Sequence, residues 1–175
     1  GQYYFHNFLA EQPDLNLRNN AVKQALFALV RYWLDKGADG IRLDAARHYF
    51  CDNDLKDNPV NPDPSSIWFD HPTPFSMQHH VNDIDIKETI SFMSELRSIL
   101  DEYDDRMAVA EIGGENGTEL GARYTANQKL LHTAYNFSLL SGDALSGSKI
   151  RSEVETFMNE PGDGWPSWTF SNHDV

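Results

Sequence analysis

The sequence is poor in disulfide chemistry, long apolar runs and positive charge. A single cysteine, Cys51, stands among 175 residues. No intrachain disulfide can form, and with no paired base legible nearby the thiol reads as an inert, partly buried side chain. The longest apolar run, Ala25 to Val30, is far short of the roughly 20 residues of a membrane helix, which excludes a transmembrane segment. Fourteen Lys plus Arg face 27 Asp plus Glu, a net charge of −13; this excludes nucleic acid or an anionic membrane as a partner held by overall charge. The expected location is the cytoplasm. A start on Gly1 and an end on Val175 suggest a piece of a longer protein, so the lack of a leader carries no weight.

What is present fits a globular fold, with 40% hydrophobic and 12% aromatic residues. Val22, Leu26, Leu29, Val30, Trp33 and Leu34 recur at three and four between Asn20, a candidate N-cap, and Gly37, a candidate stop, which predicts an amphipathic helix with Trp33 in its core face. A second helix is predicted from Ile86 to Tyr103 after a cap at Asp85, and a third over Ile150 to Met158 after Ser148. Runs of strand length lie between them at Gly40–Asp44, Met107–Glu111, Ala134–Leu139 and Trp168–Ser171. Strand alternating with helix predicts an α/β fold with a parallel sheet. No glycine-rich phosphate loop favours a doubly wound sheet. A (β/α)8 barrel needs about 250 residues, so this chain reads as an internal piece of one. The stretch 45–84 breaks the rhythm, with Pro59, Pro62, Pro64, Pro72 and Pro74 and no periodicity; loops of that kind are often binding walls.

Acidic residues gather at the predicted strand ends. Alternation sets Arg42 and Asp44 on the face opposite Ile41 and Leu43, so an ion pair faces the barrel interior at the rim where barrel enzymes keep their reacting groups. Met107–Ala110 runs apolar into Glu111, and Trp168–Phe170 runs into Ser171, Asn172, His173 and Asp174. Three carboxylates at three strand ends are hard to explain by stability. They suit a site that needs one acid protonated and another ionised, the working set of a glycosidase.

The segments Gly40-Ile41-Arg42-Leu43-Asp44-Ala45-Ala46-Arg47-His48, Ala110-Glu111 and Phe170-Ser171-Asn172-His173-Asp174 resemble, in order, the second, third and fourth conserved regions of the α-amylase family, glycoside hydrolase family 13. The resemblance implies a barrel segment from about the third helix to the end of the seventh strand, filling residues 1–175. It also implies Asp44 as nucleophile, Glu111 as general acid/base, Asp174 as the acid that grips sugar hydroxyls, and Arg42 and His173 as their partners in the glucose subsite. Gln2-Tyr3-Tyr4-Phe5-His6-Asn7-Phe8, with Gln12-Pro13-Asp14-Leu15-Asn16, resembles the α-glucosidase and oligo-1,6-glucosidase branch. Ala45 resembles the small residue of α-1,4-acting members, whereas Arg47 stands where many amylases have Lys and, with His48, leaves an endo-acting amylase in play.

The function implied is a retaining α-glucosidase acting on maltose and short malto-oligosaccharides. Oligo-1,6-glucosidase, α-amylase, a trehalose-forming transglycosylase and a non-catalytic binding homologue are the alternatives. The partner expected is a small α-glucoside, with no organic cofactor and no metal in this segment; any calcium ion would lie in the absent part of the domain. Asp52, Asp54 and Asp57 fail as a calcium loop because Lys56 and Asp57 hold the fifth and sixth places. Adjacent His79 and His80 point apart and suit zinc poorly; His71 and His79 read as loop hydrogen-bonding groups. Trp68, Phe69, Phe75, Trp165 and Trp168 are expected beside the strand-end loops, where aromatic faces stack on sugars, though packing is the commoner role.

Overall fold

The structure, a computed structural model, describes residues 1–64, 71–114, 116–140 and 145–173. Helices and strands alternate: α1 (Asn20–Asp35), β1 (Gly40–Leu43), α2 (Lys87–Leu100), β2 (Met107–Glu111), α3 (Gly117–Thr125), β3 (Thr133–Asn136), α4 (Gly147–Asn159) and β4 (Trp165–Trp168). The four strands form one sheet in the order β1-β2-β3-β4, all neighbours parallel. This is the α/β organisation read from the sequence, laid out as a stretch of barrel wall.

Register sorts the side chains. Arg42 pairs with Val109, Val109 with Thr133, and Glu111 with Tyr135, so these residues share the face away from the helices. On the other face Ala108, Ala110 and Ala134 are buried against Phe27, Leu34, Phe92, Met93, Leu96 and Leu100 of α1 and α2. Alanines on the strands let bulky helix side chains approach the sheet at native packing density. Gly40 lets β1 lie closely against β2, because a Cβ there would fall 2.3 Å from the Met107 carbonyl oxygen.

Local chemistry moves several boundaries. The cap of α1 is Asn19, whose side chain accepts from the Ala21 N–H, rather than Asn20; Gly37, at φ 94°, ends the helix as expected. Trp33 is 54% exposed and is not core. The stripe that meets α2 is the one carrying Phe27 and Leu34, with Phe27 stacked on Phe92 at 5.3 Å, and periodicity alone does not say which of two adjoining stripes wins. Asp85 does not cap α2: Ile86 holds that position without a side-chain bond, since the Asp85 carboxylate is engaged by Arg47 and Tyr124. Ser146, not Ser148, caps α4 by accepting from the Lys149 N–H at 3.2 Å, and Met158 is exposed.

Helix α3 has no counterpart among the sequence expectations. Its buried face is Gly117, Thr118, Gly121, Ala122, Tyr124 and Thr125, small and polar residues with no apolar stripe to detect. The third strand is shorter than expected, Thr133–Asn136. The fourth is Trp165–Trp168 rather than 168–171. Pro166 stands inside it, in register with Ala134 of β3.

The segment 45–84 follows β1. It opens with a 3-10 turn, Ala46–His48, and is tied down by a Val60–Gln78 bridge and by Asn61 N–H donating to the Met77 carbonyl at 2.9 Å. The Arg18 guanidinium donates to the Cys51 carbonyl at 2.5 Å. The Cys51 thiol is pushed up, by burial first, which agrees with an inert side chain. No helix among the described residues is long and apolar enough to cross a membrane.

Candidate active site

Strand β1 delivers Arg42 on its inner face and Asp44 just beyond its end; β2 delivers Glu111 on the same face. Arg42 is the link between them. One guanidinium nitrogen is ion-paired to Asp44, and the other donates to Glu111 Oε2 at 3.0 Å. The guanidinium lies 5.8 Å from the Tyr135 ring centroid, so β3 supplies a cation–π contact beneath it. A planar fork with fixed N–H directions can hold two carboxylates in one geometry, which a lysine cannot.

Behind Asp44 the backbone turns sharply, with Ala45 in the left-handed region at φ 40°. A non-glycine residue there is strained. The turn aims the Ala45 N–H at Glu111 Oε2, 3.2 Å away, so strain on one strand end supports the carboxylate of the next.

The two acids share a neighbourhood but not an environment. Asp44 is 73% exposed and Glu111 16%. The Arg42 guanidinium holds the Asp44 carboxyl below the usual carboxylate range, with the interaction with Glu111 and the positive potential of nearby His173 acting the same way. Burial pushes Glu111 up, and the adjacent Asp44 adds to the rise despite the Ala45 N–H and Arg42. Like charges in contact cannot both ionise easily. The arrangement therefore pulls the two proton affinities apart, favouring the carboxylate at Asp44 and the acid at Glu111.

Arg42, Asp44, Glu111 and His173 line one cleft of about 800 Å³, joined by Tyr49 and Phe8. The structure thus brings together four of the five site residues read from the sequence. Asp174 lies outside the described residues, as do Trp68 and Phe69. Tyr49 escaped the sequence reading; burial first, then the charge of Asp44, pushes its hydroxyl up, so it stays a proton-bearing donor facing the acids. Its signal was position alone, five residues past Asp44. Trp165 sits at the start of β4, on the rim opposite the acids, and Trp168 packs edge-on against Phe157 at 5.9 Å. Neither meets the cleft. Phe75 stacks on His80 at 3.8 Å, and the His80 ring nitrogens contact Asp83 and the Phe75 carbonyl. His79 lines a second cleft of about 790 Å³ between the 45–84 segment and α3. Asp52 and Asp54 are paired with Lys56, and no group of three or more His, Cys, Asp or Glu among the described residues is placed to hold a metal ion.

Parallel strands with helices on one face, and an acid pair bridged by arginine at the strand ends, define a segment of α/β barrel wall. The chain belongs to the α-amylase family: the model of the alpha amylase catalytic domain matches residues 1–175. A probable alpha-glucosidase of Rhizobium meliloti is 38% identical over 177 residues, covering 99% of this chain and 32% of that protein. The salivary alpha-glucosidase of Aedes aegypti is 31% identical over 183 residues, covering 99% and 31%. The solved structure of an alpha-glucosyl transfer enzyme superposes with a TM-score of 0.89 at 40% identity, over 99% of this chain and 32% of that one. The chain spans about a third of the length of these relatives, and its four strands are part of a (β/α)8 barrel.

Proposed function

We propose that the protein carrying this segment is a retaining α-glucosidase that removes terminal α-1,4-linked glucose from maltose and short malto-oligosaccharides. The observation that carries the reading is the Arg42 clasp: Asp44 and Glu111 share one guanidinium. Two carboxyls bound to the two nitrogens of one guanidinium suit the close pairing of a retaining enzyme better than the roughly 6.5–9.5 Å separation that leaves room for water in an inverting one. Asp44, held ionised, attacks the anomeric carbon while Glu111 gives its proton to the glycosidic oxygen, so the C1–O bond breaks and the aglycone leaves as an alcohol. Glu111, now ionised, takes a proton from water as that water attacks C1. The bond to Asp44 breaks and glucose leaves with its configuration retained. Arg42 and His173 bind and orient the glucose unit, and Asp174 grips its hydroxyls. Acid, nucleophile and water complete the cycle, so no organic cofactor is needed.

Transfer to a sugar or alcohol in place of water is the second reading, favoured by the 40% identity to an alpha-glucosyl transfer enzyme. It uses the same glycosyl-enzyme and differs in what reaches C1. The test is the full-length protein with maltose, the product anomer followed by NMR. Release of α-glucose first, with a fluorosugar inactivator found on Asp44 by peptide mass spectrometry, is the expected result. β-Glucose as first product would overturn retention, and a label elsewhere would overturn the role of Asp44. A kcat/KM for maltose below that for isomaltose would move the protein to the oligo-1,6-glucosidase alternative.

A further inference from the structure

Arg47 lies three residues beyond Asp44 and carries a guanidinium with no nitrogen left over. Its Nε donates to Asp85 Oδ2 at 2.8 Å and Nη2 reaches the same oxygen at 2.6 Å, while Nη1 donates to the Gly113 carbonyl. Asp85 is itself gripped twice more: Tyr124 Oη donates to its Oδ1 at 2.5 Å, and its N–H donates to the Arg47 carbonyl at 3.1 Å. Tyr124 is 3% exposed, and the Arg47 and Asp85 side chains are mostly buried. Two backbone features are shaped to this cluster. Asp85 stands at φ 54°, a strained position for a residue with a side chain. Gly114 stands at φ 104°, where a Cβ would fall 2.7 Å from Arg47 Nη1.

The geometry points to Arg47 as a positioning residue: with Asp85 and Tyr124 it forms a strut that locks the turn after Asp44 to the turn after Glu111 and so fixes the spacing of the two carboxyls. The chain of contacts is short on both sides. Gly113 is two residues past Glu111, and the Ala45 N–H that supports Glu111 is two residues before Arg47. The strut also anchors both turns to the start of α2 and to the last turn of α3. With a partner on each of its three nitrogens, the Arg47 guanidinium is fixed in orientation within the strut. A lysine in its place offers its donors from a single nitrogen and cannot reproduce the planar fork that meets Asp85 on two nitrogens and the Gly113 carbonyl on the third.

The inference rests on the roles proposed for Asp44 and Glu111, and its test separates the two. In the full-length protein, Arg47→Lys and the milder Tyr124→Phe are compared with wild type on nitrophenyl α-glucoside, with active sites counted by fluorosugar labelling. Misplacement of reacting groups by as little as about 1 Å can cost 10²-fold. The expected result for Arg47→Lys is a kcat per labelled site lowered roughly 10- to 100-fold with KM within about twofold, and a smaller loss of the same kind for Tyr124→Phe. Wild-type kcat per labelled site in both variants would overturn the strut, and so would a loss confined to KM, which would place Arg47 against substrate. Should Arg47→Lys fail to fold, Tyr124→Phe decides. Amide hydrogen exchange gives an arm independent of turnover: faster exchange at Ala45 and at Gly113 and Gly114, with α1 and α4 unchanged, is expected, and unchanged exchange at those turns overturns the proposal. A wild-type protein without glucosidase activity would sink the proposed function, while the exchange arm would still decide the strut.

Discussion

At the residue scale, the proposed chemistry rests on opposite environments for two neighbouring carboxyls. Asp44 is open to water and held by Arg42; Glu111 is tucked behind it. With Asp44 shifted down and Glu111 shifted up, activity needs pH above the first and below the second. A bell-shaped kcat/KM profile is expected, its acid limb set by Asp44 and its basic limb by Glu111. Glu111→Gln should then abolish the basic limb. It should also depress turnover of maltose far more than that of a nitrophenyl α-glucoside, because a good leaving group needs little protonation. Equal losses on both substrates would mean that Glu111 only positions the sugar. Asp44→Asn should leave the fold intact and remove nearly all turnover; a tenth of wild-type activity remaining would assign the nucleophile elsewhere. Arg42, Asp44, Glu111 and His173 were all legible in the sequence, because strand alternation and three ordered motifs fix them. The Arg47 strut was not. Sequence gave no sign that Asp85, which looks like a helix cap, spends its carboxylate on a side chain 38 positions earlier.

At the element scale, the turn after β1 sits on an aromatic platform supplied by α2. Phe92, 2% exposed, stacks on Phe27 at 5.3 Å and meets the rings of Tyr49 and Phe50 edge-on at 5.8 and 5.9 Å. One side chain thus joins α1, α2 and the segment that follows Asp44. Phe92→Ala should cost about 3–5 kcal/mol, measured as a lowered denaturant midpoint, and should lower kcat as well because Tyr49 lines the cleft. A loss of stability with full activity per folded molecule would show that the platform does not reach the site. Long, strongly periodic elements such as α1 and α2 were readable, since burial of an apolar stripe is written in the spacing. Helix α3 and strand β4 were not. The first hides its face in Gly121, Ala122 and Thr125, where closeness of backbone replaces apolar area. The second carries Pro166, which reads as a break in the sequence although it lies in register with Ala134.

At the scale of the whole molecule, the acidic cleft and the buried histidines set opposite demands on pH. Burial, and then the charge of Arg47, hold the His48 imidazole below its ordinary range. Burial, and then Arg97, do the same for His132, whose Nδ1 accepts from the Ala108 N–H at 3.0 Å and is therefore unprotonated in the fold. For both groups the unfolded chain, near pKa 6.5, binds protons that the folded chain refuses. Stability contributed by the neutral rings is complete above that value and declines as pH falls below it. Glu111 acts in the other direction: raised in the fold, it takes up its proton earlier than the unfolded chain does, and stability rises as pH falls through its folded value. The two effects separate in a Glu111→Gln background, where the opposing carboxyl is gone. There the thermal midpoint of the full-length protein should fall steadily from pH 7 to 5.5. Adding His132→Asn, whose side-chain oxygen can accept from the Ala108 N–H without competing for a proton, should flatten that fall. A midpoint that holds constant or climbs over the same interval would show that neither ring is held neutral by its surroundings, and that water reaches the base of β2 despite the packing of α2 against it.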